Sequence, residues 1–187
     1  MYQYKVYYLG DFADMVGSVF GQVYKCRPDE YFQVPAEECI GMDFGFATDG
    51  DPTVVCGVKI HERDIYIHEY IYEVGLTSND LLADKLLGCG FNRSTPIFAD
   101  YGGQGRTRMD DLVRRKGMTV YNALKGAILD GISAMLTYDR IYITASSVAT
   151  IDEFEGYELT DNMKPKGADH AIDAARYAFN YLNRKKQ

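Results

Sequence analysis

Three acids stand where acids are costly. Asp43 interrupts the apolar run Ile40-Gly41-Met42-Asp43-Phe44-Gly45-Phe46, and Asp100 ends the run Pro96-Ile97-Phe98-Ala99. The stretch Asp169-His170-Ala171-Ile172-Asp173-Ala174-Ala175-Arg176-Tyr177 opens a helix with polar groups on one flank. A carboxylate in an apolar element needs an ionic partner, a hydrogen bond or a metal ion. Hard oxygen donors spread in this way suit Mg²⁺ or Mn²⁺ rather than Zn²⁺. Two such ions about 4 Å apart bracket a phosphodiester, one activating water and the other stabilising the leaving oxygen. Each acid alone has an ordinary structural reading. Asp169 can cap the helix or join the ligands, His170 can be a surface imidazole, and Asp173 can pair with Arg176. Their joint placement on two strands and a helix is the stronger signal.

The elements that must position these groups follow from hydrophobic period. Strands are expected at 40–46, 53–60 and 64–72, the last two rich in β-branched and aromatic residues and joined by the short link His61-Glu62-Arg63. The three form an antiparallel meander. The cluster Thr77-Ser78-Asn79-Asp80 then starts a helix that ends near Gly88–Gly90. A fourth strand at 96–100, a helix through Met109, Leu112 and Val113 stopped by Gly117, and a fifth strand at 118–121 come next. A helix at 125–137, an extended piece at 140–144, a helix at 146–155 and an extended piece at 157–159 precede the last helix, 169–183. In that helix Ile172, Ala175, Phe179 and Leu182 make the buried stripe, which leaves Asp169, His170, Asp173 and Arg176 on another flank. The expected fold is α/β, a mixed five-stranded sheet flanked by helices. Ligands in such sheets sit beside the strand carboxyl ends, so Asp43 and Asp100 can face one crevice.

Residues 1–39 read differently. Tyr4–Gly10 and Gly17–Phe20 are plausible strands, while Arg27–Glu30 and Pro35–Glu38 are turn-like, with too little apolar pattern for an independent domain. The segment reads as a linker or the tail of a neighbouring domain, and 40–187 as the domain proper.

At 187 residues and 47% hydrophobic content, the chain suits one real core. No apolar run approaches a membrane span, and no membrane partner is expected. Cys26, Cys39, Cys56 and Cys89 form no C-x-x-C pair and read as free, mostly buried thiols. The net charge of −7 argues weakly against a nucleic-acid partner, although a cluster of acids neutralised by bound cations is a partial exception. Basic side chains available to phosphates are Arg106, Arg108 and Lys125 in one region, and Lys164 and Lys166 before the last acids.

The run Gly41–Phe46 followed by Asp51-Pro52-Thr53 resembles the opening of the nuclease domain of phage terminase large subunits. Ile65–Glu69 with Gly75-Leu76-Thr77, Phe98-Ala99-Asp100, Lys125-Gly126 before Ile128–Ile132, Ile141–Thr144 and Asp169–Tyr177 continue the resemblance over 40–182. It implies a ribonuclease H-like fold and a two-metal endonuclease that cuts concatemeric double-stranded DNA during viral genome packaging, using Mg²⁺ or Mn²⁺. By the same resemblance the metal-binding acids are Asp43, Asp100 and Asp173, with His170 assisting and Asp51 or Asp49 as an extra acid. The implied partners are DNA, the ATPase domain of a longer chain, the portal protein and the small terminase subunit, and the implied location is the cytoplasm of an infected bacterial host. Residues 4–20 resemble the end of that ATPase domain. No G-x-x-x-x-G-K-[ST] loop occurs, so the sequence reads as a C-terminal portion without the motor. After Asp100 the sequence runs Tyr101-Gly102-Gly103, where the family often has another acid.

Two other readings share these features. A resolvase or an RNA–DNA hybrid nuclease would use the same acids on another substrate. An actin-like or sugar-kinase-like nucleotide module would use Asp43-Phe44-Gly45 and Asp100–Gly105 as phosphate loops, but that fold needs two such domains.

Overall fold

A computed structural model describes residues 18–21, 23–46, 50–124, 126–160 and 165–186. The expected strand at 4–10 lies outside them. The elements in order are β1 (Tyr24–Cys26), α1 (Pro28–Gln33), β2 (Glu38–Asp43), β3 (Pro52–His61), β4 (Asp64–Val74), α2 (Asn79–Gly88), β5 (Ile97–Ala99) and α3 (Gly105–Arg114). They continue as β6 (Val120–Asn122), α4 (Ile128–Met135), β7 (Arg140–Thr144), α5 (Val148–Gly156), the short pair β8 (Glu158–Leu159) and β9 (Pro165–Lys166), and α6 (His170–Lys185).

The main sheet has the order β1-β7-β4-β3-β2-β5-β6. Strands β2, β3 and β4 are antiparallel neighbours, whereas β5 and β6 continue parallel beside β2. This is the mixed α/β arrangement expected, with two more strands than five. Strand β7, expected as a short extended piece, pairs parallel with β4, and β1 pairs parallel with β7. The alternation in Arg140-Ile141-Tyr142-Ile143-Thr144 explains the gain, because Ile141 and Ile143 go into the core.

The segment before Ile40 therefore contributes an edge strand and a helix. Pro28 sits in the first turn of α1, where its missing N–H costs nothing. Glu30 accepts from the Arg27 N–H at 2.7 Å, so a pattern that reads as a turn is a helix start. The buried Lys59 ammonium closes the other end, donating to the carbonyls of Tyr31, Phe32 and Val34 at 3.2, 3.4 and 3.3 Å. Val19 and Phe20 form a turn instead of a strand. Both are buried, and the Val19 N–H donates to the Tyr157 carbonyl at 2.8 Å.

Helices cover the sheet on both faces. Ile40, Met42, Ile97 and Ala99 pack against Leu82, Leu86, Met109 and Leu112 of α2 and α3. Val54, Val58, Ile65 and Ile67 pack against Ile132, Phe154, Ala171, Ala175 and Phe179 of α4, α5 and α6. Strand β3 is covered from both sides, which is why its sequence is apolar without alternation. Helix α6 runs against β2 and β3, and the contact is close enough to require glycine. A Cβ on Gly41 would collide with the Ala174 carbonyl oxygen and lie 3.0 Å from the Ala178 nitrogen.

Gly41→Ala should therefore destabilise the protein by about 3 kcal/mol or more, since backbone has to move. That corresponds to a fall of about 10 °C in melting temperature for a chain of this size. Gly88→Ala, in a helix where a Cβ meets nothing within 4 Å, is the control and should melt at or above the wild type. Equal melting temperatures for Gly41→Ala and the wild type would contradict the close contact.

Candidate metal and nuclease site

The register places Met42 beside Ala99 on parallel neighbours, so Asp43 and Asp100 follow side by side at the carboxyl ends of β2 and β5. Adjacent strands are about 4.8 Å apart, which puts both acids at one crevice. The close approach at Gly41 then lays the first turn of α6 beside Asp43. His170 Nδ1 lies 3.1 Å from Asp43 Oδ2, and its Nε2 lies 3.4 Å from Asp51 Oδ1. Asp173 accepts at Oδ1 from Arg176 and at Oδ2 from the Tyr177 hydroxyl, the latter at 3.2 Å. The Tyr177 hydroxyl is buried beside Asp173. Burial pushes its pKa up, and the charges of Asp173, Asp43 and Asp100 push it further.

The acids also repel one another. Burial raises the pKa of Asp43, the hydrogen bond from His170 opposes the rise, and Asp173 and Asp169 add to it. Asp169 is raised by burial and then by Asp173. His170 is driven up to about 9, first by its hydrogen bond to Asp43 and then by the charges of Asp43 and Asp51, with burial opposing. The pair is thus an imidazolium against a carboxylate near neutral pH.

Asp169 occupies the N-cap position of α6, but its side chain makes no capping hydrogen bond. That task falls to Glu153 of α5, which sequence reasoning passed over. Its buried carboxylate accepts from the Ala171 N–H at 2.7 Å and from the Tyr72 hydroxyl at 2.8 Å. Glu69 does the same for α5, accepting from the Thr150 N–H at 3.0 Å. No local pattern marks these acids, since their partners are 18 and 81 residues away in the chain. Asp100 accepts from the Gly102 N–H at 2.7 Å, in the glycine stretch that replaces a further acid.

One expected phosphate ligand needs correction. Arg108 is not a DNA contact. It is buried and donates to the carbonyls of Gly45 and Leu76 at 2.8 and 2.9 Å, to Thr53 Oγ1 at 3.2 Å and to Asn79 Oδ1 at 3.1 Å. Its guanidinium also lies over the Phe44 ring at 4.8 Å. Helical period explains the difference, because Arg108 shares the inner face of α3 with Met109 and Leu112. Arg106 is exposed over Tyr101, and Lys166 is exposed while pairing with Glu158. Lys125, Lys164 and Asp49 lie outside the described residues.

Among the described residues, no three carboxylate, imidazole or thiolate groups form a ready-made metal cage. The donor chemistry still fits Mg²⁺ or Mn²⁺, which keep several waters and need one or two carboxylates plus substrate oxygens. Asp43, Asp100 and Asp173 are the side chains that would hold such ions. The four cysteines are free, and only Cys89 is not fully buried.

The sequence matches no protein-family model and no curated protein. Similarity appears in solved structures. The nuclease domain of g2p, the large terminase of bacteriophage SPP1, solved with bound Mn, superposes with a TM-score of 0.70 at 24% identity, covering 89% of this chain and 99% of that one. The large terminase nuclease of the thermophilic phage G20c, with bound magnesium, gives 0.59 at 17% identity, covering 89% and 98%. The fold is that of a large-terminase nuclease domain. A further match, to the large terminase of another thermophilic bacteriophage at 20% identity and a TM-score of 0.66, covers 89% of this chain but 45% of that one. Within the terminase-nuclease fold the three acids occupy the carboxyl ends of two neighbouring parallel strands and the first turn of the helix behind them.

Three outcomes test this geometry. His170 has a folded pKa of about 9, above its ordinary 6.5, so its stabilising contribution is complete below about pH 6.5 and is lost as pH rises through 9. The metal-free melting temperature should fall across that window, and His170→Asn should flatten the fall. In an NMR titration, Asp43→Asn should return the imidazole towards its ordinary pKa, and an unchanged midpoint would break the assignment. Arg108→Ala leaves buried carbonyls without donors and should cost about 3 kcal/mol or more, whereas Arg106→Ala should leave the melting temperature unchanged.

Proposed function

We propose that this chain is a metal-dependent endonuclease that cuts concatemeric double-stranded viral DNA during genome packaging, by two-metal hydrolysis of phosphodiesters. The observation that supports the reading is the placement of Asp43 and Asp100 at the carboxyl ends of the neighbouring strands β2 and β5, beside the first turn of α6 that carries Asp173, within the fold of large-terminase nuclease domains. Asp43, Asp100 and Asp173 hold the two ions, Mg²⁺ or Mn²⁺, with Asp51 and Asp169 as further acids at the rim. When bound, these ions supply an activated water and offset charge on the leaving oxygen. His170, protonated and held between Asp43 and Asp51, holds a proton beside the reacting phosphate and assists its transfer.

Arg106, and Lys166 beside the start of α6, supply attraction for the DNA backbone, together with Lys125 and Lys164. With a net charge of −7 behind them, binding by this chain is weak, salt-sensitive and nearly independent of sequence. The other proposed partners are the ATPase domain of the same full-length chain, the portal protein and the small terminase subunit. The place of action is the cytoplasm of the infected host. No helix among the described residues is long and apolar enough to cross a membrane.

Asp173→Asn is the decisive variant. Cleavage of plasmid DNA in Mn²⁺ should be abolished, and the rise in melting temperature on adding Mn²⁺ should shrink. Without metal the variant should melt below the wild type, because Arg176 loses the charge that balances it in the interior. Wild-type nicking with a full Mn²⁺ shift would remove Asp173 from the ligands. Equal cleavage of duplex DNA, a four-way junction and an RNA–DNA hybrid would remove the duplex preference.

A further inference from the structure

Asp173 is gripped by two neighbours on its own helix. Arg176 donates to Oδ1 from Nε at 3.2 Å and from Nη2 at 2.8 Å, while the Tyr177 hydroxyl donates to Oδ2 at 3.2 Å. Arg176 is 2% exposed, and among the described residues its buried Nη1 has no hydrogen-bond partner. An unpaired buried donor costs about 1–3 kcal/mol, so stability alone does not account for an arginine here. The guanidinium is also prevented from turning away. A Cβ on Gly131 of α4 would lie 2.6 Å from Arg176 Cδ, so α4 closes over the stem, and the Tyr177 ring stands 5.1 Å from Cζ.

A carboxylate has about four lone-pair sites, two on each oxygen. The arginine fork occupies both on Oδ1. Tyr177 occupies one on Oδ2, and no other of the described residues donates a hydrogen bond to that oxygen, which leaves it the more open of the two. We propose that Arg176 is a positioning residue that makes Asp173 a one-oxygen ligand, fixing Oδ2 as the atom offered to a divalent cation. This deepens the nuclease reading above and rests on it. Tyr177 has the opposite effect, since its hydroxyl competes with the cation for Oδ2.

The test is calorimetric titration of Mn²⁺ into the 187-residue chain, with DNA cleavage kinetics alongside. Arg176→Lys keeps the charge and loses the planar fork. It should weaken Mn²⁺ binding about tenfold, the usual cost of losing a partner that orients a ligand. In the same variant kcat should fall while KM for DNA holds. Tyr177→Phe should bind Mn²⁺ at least as tightly as the wild type. If Arg176→Lys binds Mn²⁺ like the wild type, Arg176 serves as charge alone and the proposal is overturned. If Arg176→Lys does not fold, Tyr177→Phe decides, and a marked loss of Mn²⁺ affinity there overturns it too. Asp173→Asn separates the two levels. Wild-type Mn²⁺ binding in that variant defeats the nuclease site itself, whereas lost binding there with normal binding in Arg176→Lys defeats only the positioning role.

Discussion

The site depends on how closely α6 lies on β2. Two backbones meet where Gly41 passes the Ala174 carbonyl, and Ala171, Ala175 and Ala178 are wholly buried along the same helix face. Small residues on both sides let the helix axis approach the sheet, and larger ones would hold it off. That distance decides where the first turn of α6 falls. With it, His170 reaches Asp43 and Asp51. Glu153 then fixes the helix along its axis by holding the Ala171 N–H, and Tyr72 on β4 holds Glu153.

Electrostatics set the second constraint. Burial first, and neighbouring carboxylates after it, raise the pKa of Asp43 and of Asp169. The fold offsets this by setting cations beside Asp43, Asp51 and Asp173. His170 stands between Asp43 and Asp51, and Arg176 is buried against Asp173. Arg108 works differently. Its charge is spent on the carbonyls of Gly45 and Leu76, where it ties the end of β2 to the start of α2 through Asn79. The two buried arginines look alike in the sequence, and only their partners separate the one at the site from the one that holds the loops.

Local pattern carried a large part of the reading, and particular residues show how far. Local pattern located the meander β2–β4, through its apolar, β-branched and aromatic runs, and the inner stripe of α6 with the polar flank of His170 and Asp173, through helical period. It also located the ends of β2 and β5, where an acid follows an apolar run. It failed at Arg27–Glu30, where a proline and two acids read as a turn although they begin a helix. It found the extended piece Arg140–Thr144 but not its place in the main sheet, between β4 and β1.

By itself, the sequence determined which chemical groups were present and which element each one rode on. Periodicity and capping are local, and side chains within a few residues of one another express them directly. Tertiary structure alone decided which groups meet. His170 and Asp43 are 127 residues apart, Glu153 and the α6 terminus 18, and Arg108 and Gly45 63. A hydrogen bond or an ion pair depends on distance and angle to within a fraction of an ångström. Those are fixed by the packing of α6 on β2 and of α3 on the sheet, so the sequence could name Asp43, Asp100 and Asp173 but not show that the first turn of α6 would lie beside the ends of β2 and β5.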